Sequence, residues 1–234
     1  MRTGPIRAAA LVLVTAFATA CGGPEWAPPQ SDQEAEALVD RVALQADDWQ
    51  GDFAPSEQLA ETDIAPWGRF DEDCSWVDQQ DEAPGQRGIQ RHAIITTPGE
   101  DGEEVEISAY SQVIVHDAQG TAEEWIGRGA ADAERCTTQD FGSVRLEDVR
   151  THTIRLGGVD EATAESGMFV VKPGITGDEL PSVPHRYAHI QARKGPVVLA
   201  VQVDGAPDRY SEDDLANLAR DGMERMIDRL AKSE

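Results

Sequence analysis

Residues 185–189 hold the densest set of side chains that could do chemistry, because His185, Tyr187 and His189 alternate along five positions. On a helix, the spacing of four between the histidines would place both imidazoles on one face, where they could share a zinc ion. Residues 185–193 instead alternate as a β-strand does, and in a strand four residues span about 13 Å, too far for two nitrogens to hold one metal. We therefore predict no metal site, and we expect these side chains to line one face of a sheet.

The residues that follow predict a hairpin that adds polar groups to the same face. A turn at Lys194-Gly195 would pair His185 with Asp204. An open, polar sheet face of this kind either recognises a ligand or partner or faces water, since solvent-facing sheet surfaces are polar as well. If it binds a ligand, the candidate ligand-binding residues are His185, Tyr187, His189, Gln202, Asp204 and Tyr110.

The first twenty residues have the order of a secretory signal peptide. Positive charge at Arg2 and Arg7 precedes an apolar run over residues 8–20, which is too short to span a bilayer, and small residues lead directly to Cys21. A cysteine in this place is typical of a bacterial lipoprotein, in which it is acylated, for example with palmitate, and becomes the mature N-terminus. The alternative is an ordinary signal peptide followed by an incidental cysteine.

This pattern divides the chain into three parts: a signal peptide over 1–20, a lipidated cysteine with a Pro- and Gly-rich tether over 21–31, and one domain over 32–234. With Cys21 lipidated, Cys74 and Cys136 remain. An even pair of cysteines in an exported protein is typical of a disulfide. Two unrelated buried thiols are the alternative.

Charge narrows the range of partners. The chain carries 44 Asp and Glu against 20 Lys and Arg, a net charge of −24. Such acidity argues against binding nucleic acid or the anionic membrane surface, so membrane contact would come from the lipid anchor. The sequence also lacks a nucleophile elbow, phosphate-binding loops and metalloprotease motifs, so we predict no cofactor.

Periodicity predicts the elements that must position the polar face. Helical spacing of apolar residues predicts three amphipathic helices, the first two with capping boxes at Ser31-x-x-Glu34 and Thr121-x-x-Glu124. We expect an α+β fold in which an antiparallel sheet of about six strands carries the three helices mainly on one face. The predicted helices cover 31–46, 121–136 and 211–231, and the strands 73–78, 92–97, 103–116, 148–156, 167–172, 185–193 and 196–204.

Two stretches resemble the PknH-like extracellular sensor domain of actinobacterial envelope lipoproteins and receptor serine/threonine kinases. They are EISAYSQVIVHDAQGTAEEWIGRGAADAERC (106–136) and HRYAHIQARKGPVVLAVQVDG (185–205), the latter followed by the terminal helix. In that family a strand leads into an amphipathic helix that ends in a disulfide cysteine, and a late hairpin precedes the last helix. The resemblance implies a sensor-like domain outside the cytoplasmic membrane.

We therefore expect a membrane-anchored, extracytoplasmic module that binds an envelope ligand or protein partner and is not an enzyme. Two other functions remain open. One is a lipid or glycolipid carrier, which would need a large apolar cavity between sheet and helices. The other is an enzyme, because serines and histidines that are distant in sequence could still converge in three dimensions.

Overall fold

The computed structural model describes residues 26–55, 67–79, 85–98, 104–172 and 184–232. The predicted signal peptide (1–20) and Cys21 lie outside the described residues. The helices are α1 (Asp32–Val42), α2 (Gln119–Arg135) and α3 (Glu212–Ala231). The strands are β1 (Ala54–Pro55), β2 (Gly68–Phe70), β3 (Trp76–Asp78), β4 (Gln86–Pro98), β5 (Glu104–His116), β6 (Gln139–Asp140), β7 (Val144–Ile154), β8 (Glu161–Val171), β9 (His185–Lys194) and β10 (Val197–Gly205).

The main sheet is antiparallel and runs in the order β1-β4-β5-β10-β9-β8-β7-β6. This confirms the predicted α+β class with three helices and an antiparallel sheet. The described strands outnumber the predicted six, because two-residue strands extend both edges and β2 pairs with β3 in a separate small sheet. Strands this short carry too few residues for alternation to be detected in the sequence.

One face of the sheet packs against α1 and α3. Alternate residues of the central strands point into this core, including Val113 of β5 and Leu199 of β10, both fully buried. The helices contribute matching apolar stripes, as their spacing of three and four residues predicts. The stripe of α1 is Ala35, Leu38, Val39 and Val42, and that of α3 includes Leu215, Ala219, Met223, Met226 and Leu230.

The opposite face carries α2, so the expectation of three helices mainly on one face is corrected to two on one face and one on the other. Ala122 and Ile126 of α2 pack against Ile114 and Val198, which point away from α1 and α3. Helical periodicity shows which side of α2 is buried but not which face of the sheet it covers. The face predicted to be open is therefore partly covered.

The final hairpin has a register that differs by two residues from the predicted one. Its turn is Gly195-Pro196, so Lys194 lies opposite Val197 and Gln202 opposite His189. Gly195 has a φ of +54°, the sign that tight hairpin turns need at their first central position. Pro196 has no N–H to donate to the ladder, which favours the turn over the strand. A shift of two keeps every side chain on its predicted face.

The Cys74–Cys136 disulfide is present and links the small sheet to the end of α2. The guanidinium of Arg135 donates to the backbone oxygens of Phe70 (3.0 Å) and Asp71 (2.7 Å) at the same junction. The backbone N–H of Asp140 also donates to Cys74 O at 2.9 Å. The β2–β3 unit is thus held against the polar face of the main sheet by covalent and polar contacts.

The predicted N-terminal caps of the first two helices are confirmed only in part. The Ser31 hydroxyl accepts from the Glu34 N–H at 3.2 Å and begins α1 as predicted, but the Glu34 carboxylate accepts from the Gln30 N–H at 2.7 Å, so the predicted capping box is only half formed. The capping box predicted at Thr121 is wrong, because α2 starts earlier, with Ala118 as its N-cap. Trp26, within the predicted tether, packs against the core next to Gly195.

Candidate functional site

A cavity of about 230 Å³ lies between α2, the β2–β3 unit and the polar face of the main sheet. Its floor is formed by side chains of β5 to β10, and α2 and the small sheet contribute to its walls. We call its polar lining residues from the main sheet the polar floor: Tyr110, Gln139, Thr151, Thr163, Glu165, His189, Gln191 and Gln202.

The strand register explains why these residues meet. Thr151 lies opposite Glu165, Glu165 opposite His189, His189 opposite Gln202, and Gln202 opposite Tyr110. Directly paired residues of neighbouring strands point to the same face with Cβ atoms about 5 Å apart. The five side chains therefore form a continuous polar row across five strands.

Glu165 is the charged group at the centre of the floor. Its Oε1 accepts a hydrogen bond from the Tyr187 hydroxyl at 2.9 Å, and no other described side chain bonds to it. Burial raises the pKa of the Glu165 carboxyl, and the bond from Tyr187 acts in the opposite direction. Tyr187 can lie close to the strand because Gly167 opposite it has no side chain; a Cβ there would lie 2.9 Å from the tyrosine ring.

His189 lies beside Glu165 as a neutral imidazole. Burial lowers the pKa of His189 to about 4. Its Nε2 is buried without a hydrogen-bond partner among the described residues, and its ring lies 6.3 Å from that of Tyr110. At neutral pH, His189 therefore adds no positive charge to balance the carboxyl group.

Five aromatic side chains form the opposing side of the cavity, which we call the aromatic wall: Trp67, Phe70, Trp76, Trp125 and Phe141. Trp67 and Trp125 have ring centroids 5.3 Å apart and join the small sheet to α2. Phe141 contacts Phe70 at 5.1 Å and Trp76 at 5.7 Å. Such contacts between rings stabilise the wall beyond the apolar area that they bury.

Two further charged residues line the cavity, and both have protein partners. The Arg128 guanidinium lies 4.4 Å from the centre of the Trp67 ring and pairs with Glu124 one helical turn earlier. Asp132 pairs with Arg135 at 2.9 Å. The carboxyl group of Glu165 thus has no cationic partner among the described residues.

The structure brings half of the predicted ligand-binding residues into the cavity. Tyr110, His189 and Gln202 line it directly, and Tyr187 contributes through its bond to Glu165. His185 and Asp204 lie outside the lining and contact each other, with 2.8 Å between Nδ1 and Oδ2. They touch despite the register shift because Asp204 reaches diagonally from its position opposite Tyr187.

The other interpretation of the polar face, a sheet surface that faces water, does not hold for two of its residues. Tyr187 is 1 % exposed and His185 is 5 % exposed. Their side chains bond to neighbouring residues of the sheet, Tyr187 to Glu165 and His185 to Asp204. Alternating polar residues are typical of a sheet face that is exposed to water, but here several of them line a cavity.

Sequence reasoning missed Glu165 and the aromatic wall. Glu161, Thr163 and Glu165 alternate with alanines, which is the signature of a half-buried strand, but the strand was predicted only from residue 167. Trp67, Phe70 and Trp76 cluster around Cys74 in a chain with five tryptophans and five phenylalanines. That concentration beside a disulfide cysteine was the available signal.

Comparisons with protein-family models, with curated proteins and with solved structures return no match. Within the described ranges, no helix has both the length and the apolar character that crossing a bilayer requires. The same residues contain no group of three or more His, Cys, Asp or Glu side chains placed to hold a metal ion.

Proposed function

We propose that this protein is an extracytoplasmic lipoprotein, anchored through Cys21, whose domain binds a small ligand in the cavity without catalysing a reaction. The signal-like order of residues 1–21 supports the anchor and the compartment. The disulfide between Cys74 and Cys136 agrees with an oxidising environment. The resemblance to PknH-like sensor domains supports a sensing role.

One observation carries the binding proposal: the polar floor holds side chains that the fold itself does not satisfy. Gln139, Thr163, Gln191 and Gln202 line the cavity, and their side chains make no hydrogen bond to described residues. These four side chains open onto the cavity, where the polar groups of a ligand can bond them, and His189 Nε2 beside them is buried without a partner, which costs about 1–3 kcal/mol. A covered cavity lined in this way supports a ligand that completes those bonds.

The arrangement supports binding rather than catalysis. Glu165 has the raised pKa that is common at functional sites. The hydroxyl bonded to Glu165 belongs to Tyr187, which is 1 % exposed and does not line the cavity, and no hydroxyl is bonded to His189 among the described residues. A general base that activates a nucleophile needs that contact within hydrogen-bond reach.

The polar floor also favours a small polar ligand over the acyl chains that a lipid carrier would hold. An acyl chain would displace water from these amides and hydroxyls without replacing their hydrogen bonds, which is unfavourable. The volume of about 230 Å³ is also below the range of about 300–1,000 Å³ that is common for pockets of drug-sized ligands.

Two glycines of α2 offer a matched test. A Cβ on Gly129 would lie 3.5 Å from Gln191 Oε1 at the cavity, whereas one on Gly127 would meet nothing within 4 Å. Leucine at either position should favour the helix by roughly 1 kcal/mol, so both variants should fold. Only Gly129→Leu would fill the cavity.

The test screens a chemically diverse fragment library by ligand-observed NMR against the full-length protein in lipid nanodiscs. We expect fragments that bind the native protein and Gly127→Leu equally and that lose binding to Gly129→Leu. Equal binding of a fragment to both variants would mean that it binds outside the cavity, which would contradict the proposed site. If no fragment binds the native protein, the proposed function is wrong.

A further inference from the structure

The chemistry of the cavity narrows the class of ligand, provided that the proposed binding function holds. The floor needs a partner that both donates and accepts hydrogen bonds. Each amide of Gln139, Gln191 and Gln202 has two donors and an acceptor, the Thr163 hydroxyl can do either, and the open oxygen of Glu165 accepts. Hydroxyl groups on the ligand satisfy all of these, since a hydroxyl both donates and accepts.

The aromatic wall needs the opposite property in the same molecule. Trp67 and Trp125 present rings 5.3 Å apart, and Phe70, Trp76 and Phe141 continue this surface. Burying aromatic surface against an apolar ligand face is favourable, at roughly 25 cal/mol for each Å² removed from water. The ligand therefore has hydroxyls around its edge and a flat apolar face.

The charges that line the cavity argue against ligands that carry an acidic group. Arg128 and Asp132 are paired within the protein, so Glu165 is the lining group whose charge has no described counter-ion. In its ionised form, Glu165 would repel a carboxylate or phosphate on the ligand at close range in this poorly solvated site. The net charge of −24 on the chain adds to this repulsion at longer range.

We propose that the cavity binds a saccharide ring without an acidic group, its C–H face against the aromatic wall and its hydroxyls on the polar floor, with Glu165 accepting from one of them. A pyranose combines these features in one small molecule. An alkyl or aryl compound without hydroxyls would leave the floor unsatisfied, and a quaternary ammonium ion could bond neither the glutamine amides nor the threonine hydroxyl.

Saturation-transfer NMR on the full-length protein in nanodiscs tests this directly. The probes are D-glucose, D-galactose, D-mannose and D-glucosamine, with D-glucuronate as the acidic counterpart and choline and indole as probes that lack the hydroxyl set. We expect at least one of the four non-acidic sugars to bind the native protein and Gly127→Leu, to be lost in Gly129→Leu, and to bind more tightly than glucuronate, choline or indole.

Two substitutions test the assigned contacts. Glu165→Gln keeps the shape and should weaken binding of that sugar about tenfold or more, because hydrogen bonds to a charged group are the stronger ones. Gln202→Leu should weaken it about two- to tenfold, as loss of a neutral hydrogen bond does. Equal affinity of Glu165→Gln and the native protein would overturn the role of Glu165.

The outcomes separate the two proposals. If fragments bind the native protein and lose binding to Gly129→Leu, but none of the four sugars binds, the saccharide inference is wrong and the binding function stands. Binding of glucuronate as tight as that of the non-acidic sugars would contradict the charge argument. If neither fragments nor sugars bind, both proposals fall together.

Discussion

Removing the disulfide should lower the stability of this domain by an amount that the chain separation fixes. Cys74 and Cys136 are 62 residues apart in sequence. For a closed loop of this length, the chain-entropy relation gives about 4 kcal/mol of stabilisation through the restricted unfolded state. A domain of ordinary stability, at about 5–15 kcal/mol, would remain folded but lose a large fraction of its margin.

The perturbation is the double variant Cys74→Ser/Cys136→Ser, and the assay is urea unfolding followed by tryptophan fluorescence. Cys74 has a φ of +59°, an unfavourable conformation that serine would share, so this backbone strain does not change with the substitution. With a slope of about 2 kcal/mol per molar urea, the midpoint should fall by roughly 2 M. The native protein with a reducing agent should match the variant, and the agent should not affect the variant.

A midpoint shift below roughly 0.5 M would refute the reasoning, because it would correspond to about 1 kcal/mol. It would mean that the unfolded chain is already compact without the bond or that the bond strains the native state. A second readout follows from the position of the disulfide. It holds the small sheet to α2, so its loss should also loosen the aromatic wall and reduce the near-ultraviolet circular dichroism of Trp76 and its neighbours.

Three further predictions concern single residues. Burial raises the pKa of Glu165 above its usual 4.5, so the folded state loses stability as the pH rises past that value. Urea unfolding should therefore show Glu165→Gln to be more stable than the native protein at pH 7. The difference should vanish near pH 4. Burial lowers the pKa of His116 from 6.5 to about 4, so stability should fall by roughly 3 kcal/mol as the pH drops through this window. His116→Gln should reduce that acid sensitivity and the exposed control His152→Gln should leave it unchanged; equal slopes would contradict this origin. Cys21→Ser should move the protein from the membrane to the soluble fraction, and the native protein should show a mass increase for attached acyl chains at Cys21; an unmodified cysteine would refute the anchor.

Local patterns predicted the elements well and their assembly less well. The final hairpin and α3 follow from strict alternation, a turn and a serine cap, and the observed elements Val197–Gly205 and Glu212–Ala231 lie close to the predicted ranges. The turn itself was misplaced by one residue because Lys194-Gly195 and Gly195-Pro196 are both acceptable turn pairs. The decision between them depends on Pro196, whose carbonyl accepts from the His116 N–H at 2.9 Å in β5.

The site was harder to predict because it depends on which face α2 covers. Tyr110, His189 and Gln202 were identified as candidates from alternation alone, since alternation fixes the face. Glu165 and Trp67 reach this face through contacts between distant segments: Glu165 through the pairing of β8 with β9, and Trp67 through its contact with Trp125 and the nearby disulfide. Periodicity within a segment contains no information on such contacts between distant segments.

The two faces of the sheet show why the cavity exists. On the α1 and α3 side, small and branched side chains such as Ala188, Val201 and Ala219 belong to the main buried hydrophobic core. On the other side, α2 meets the sheet through a small cluster around Ile126, and the β2–β3 unit is joined to it through aromatic rings rather than through the main ladder. Aliphatic residues at the floor positions would let these pieces close onto the sheet. The cavity instead has a polar floor, and the burial of Glu165 at its centre reduces the stability of the free domain, as a group retained for ligand binding would.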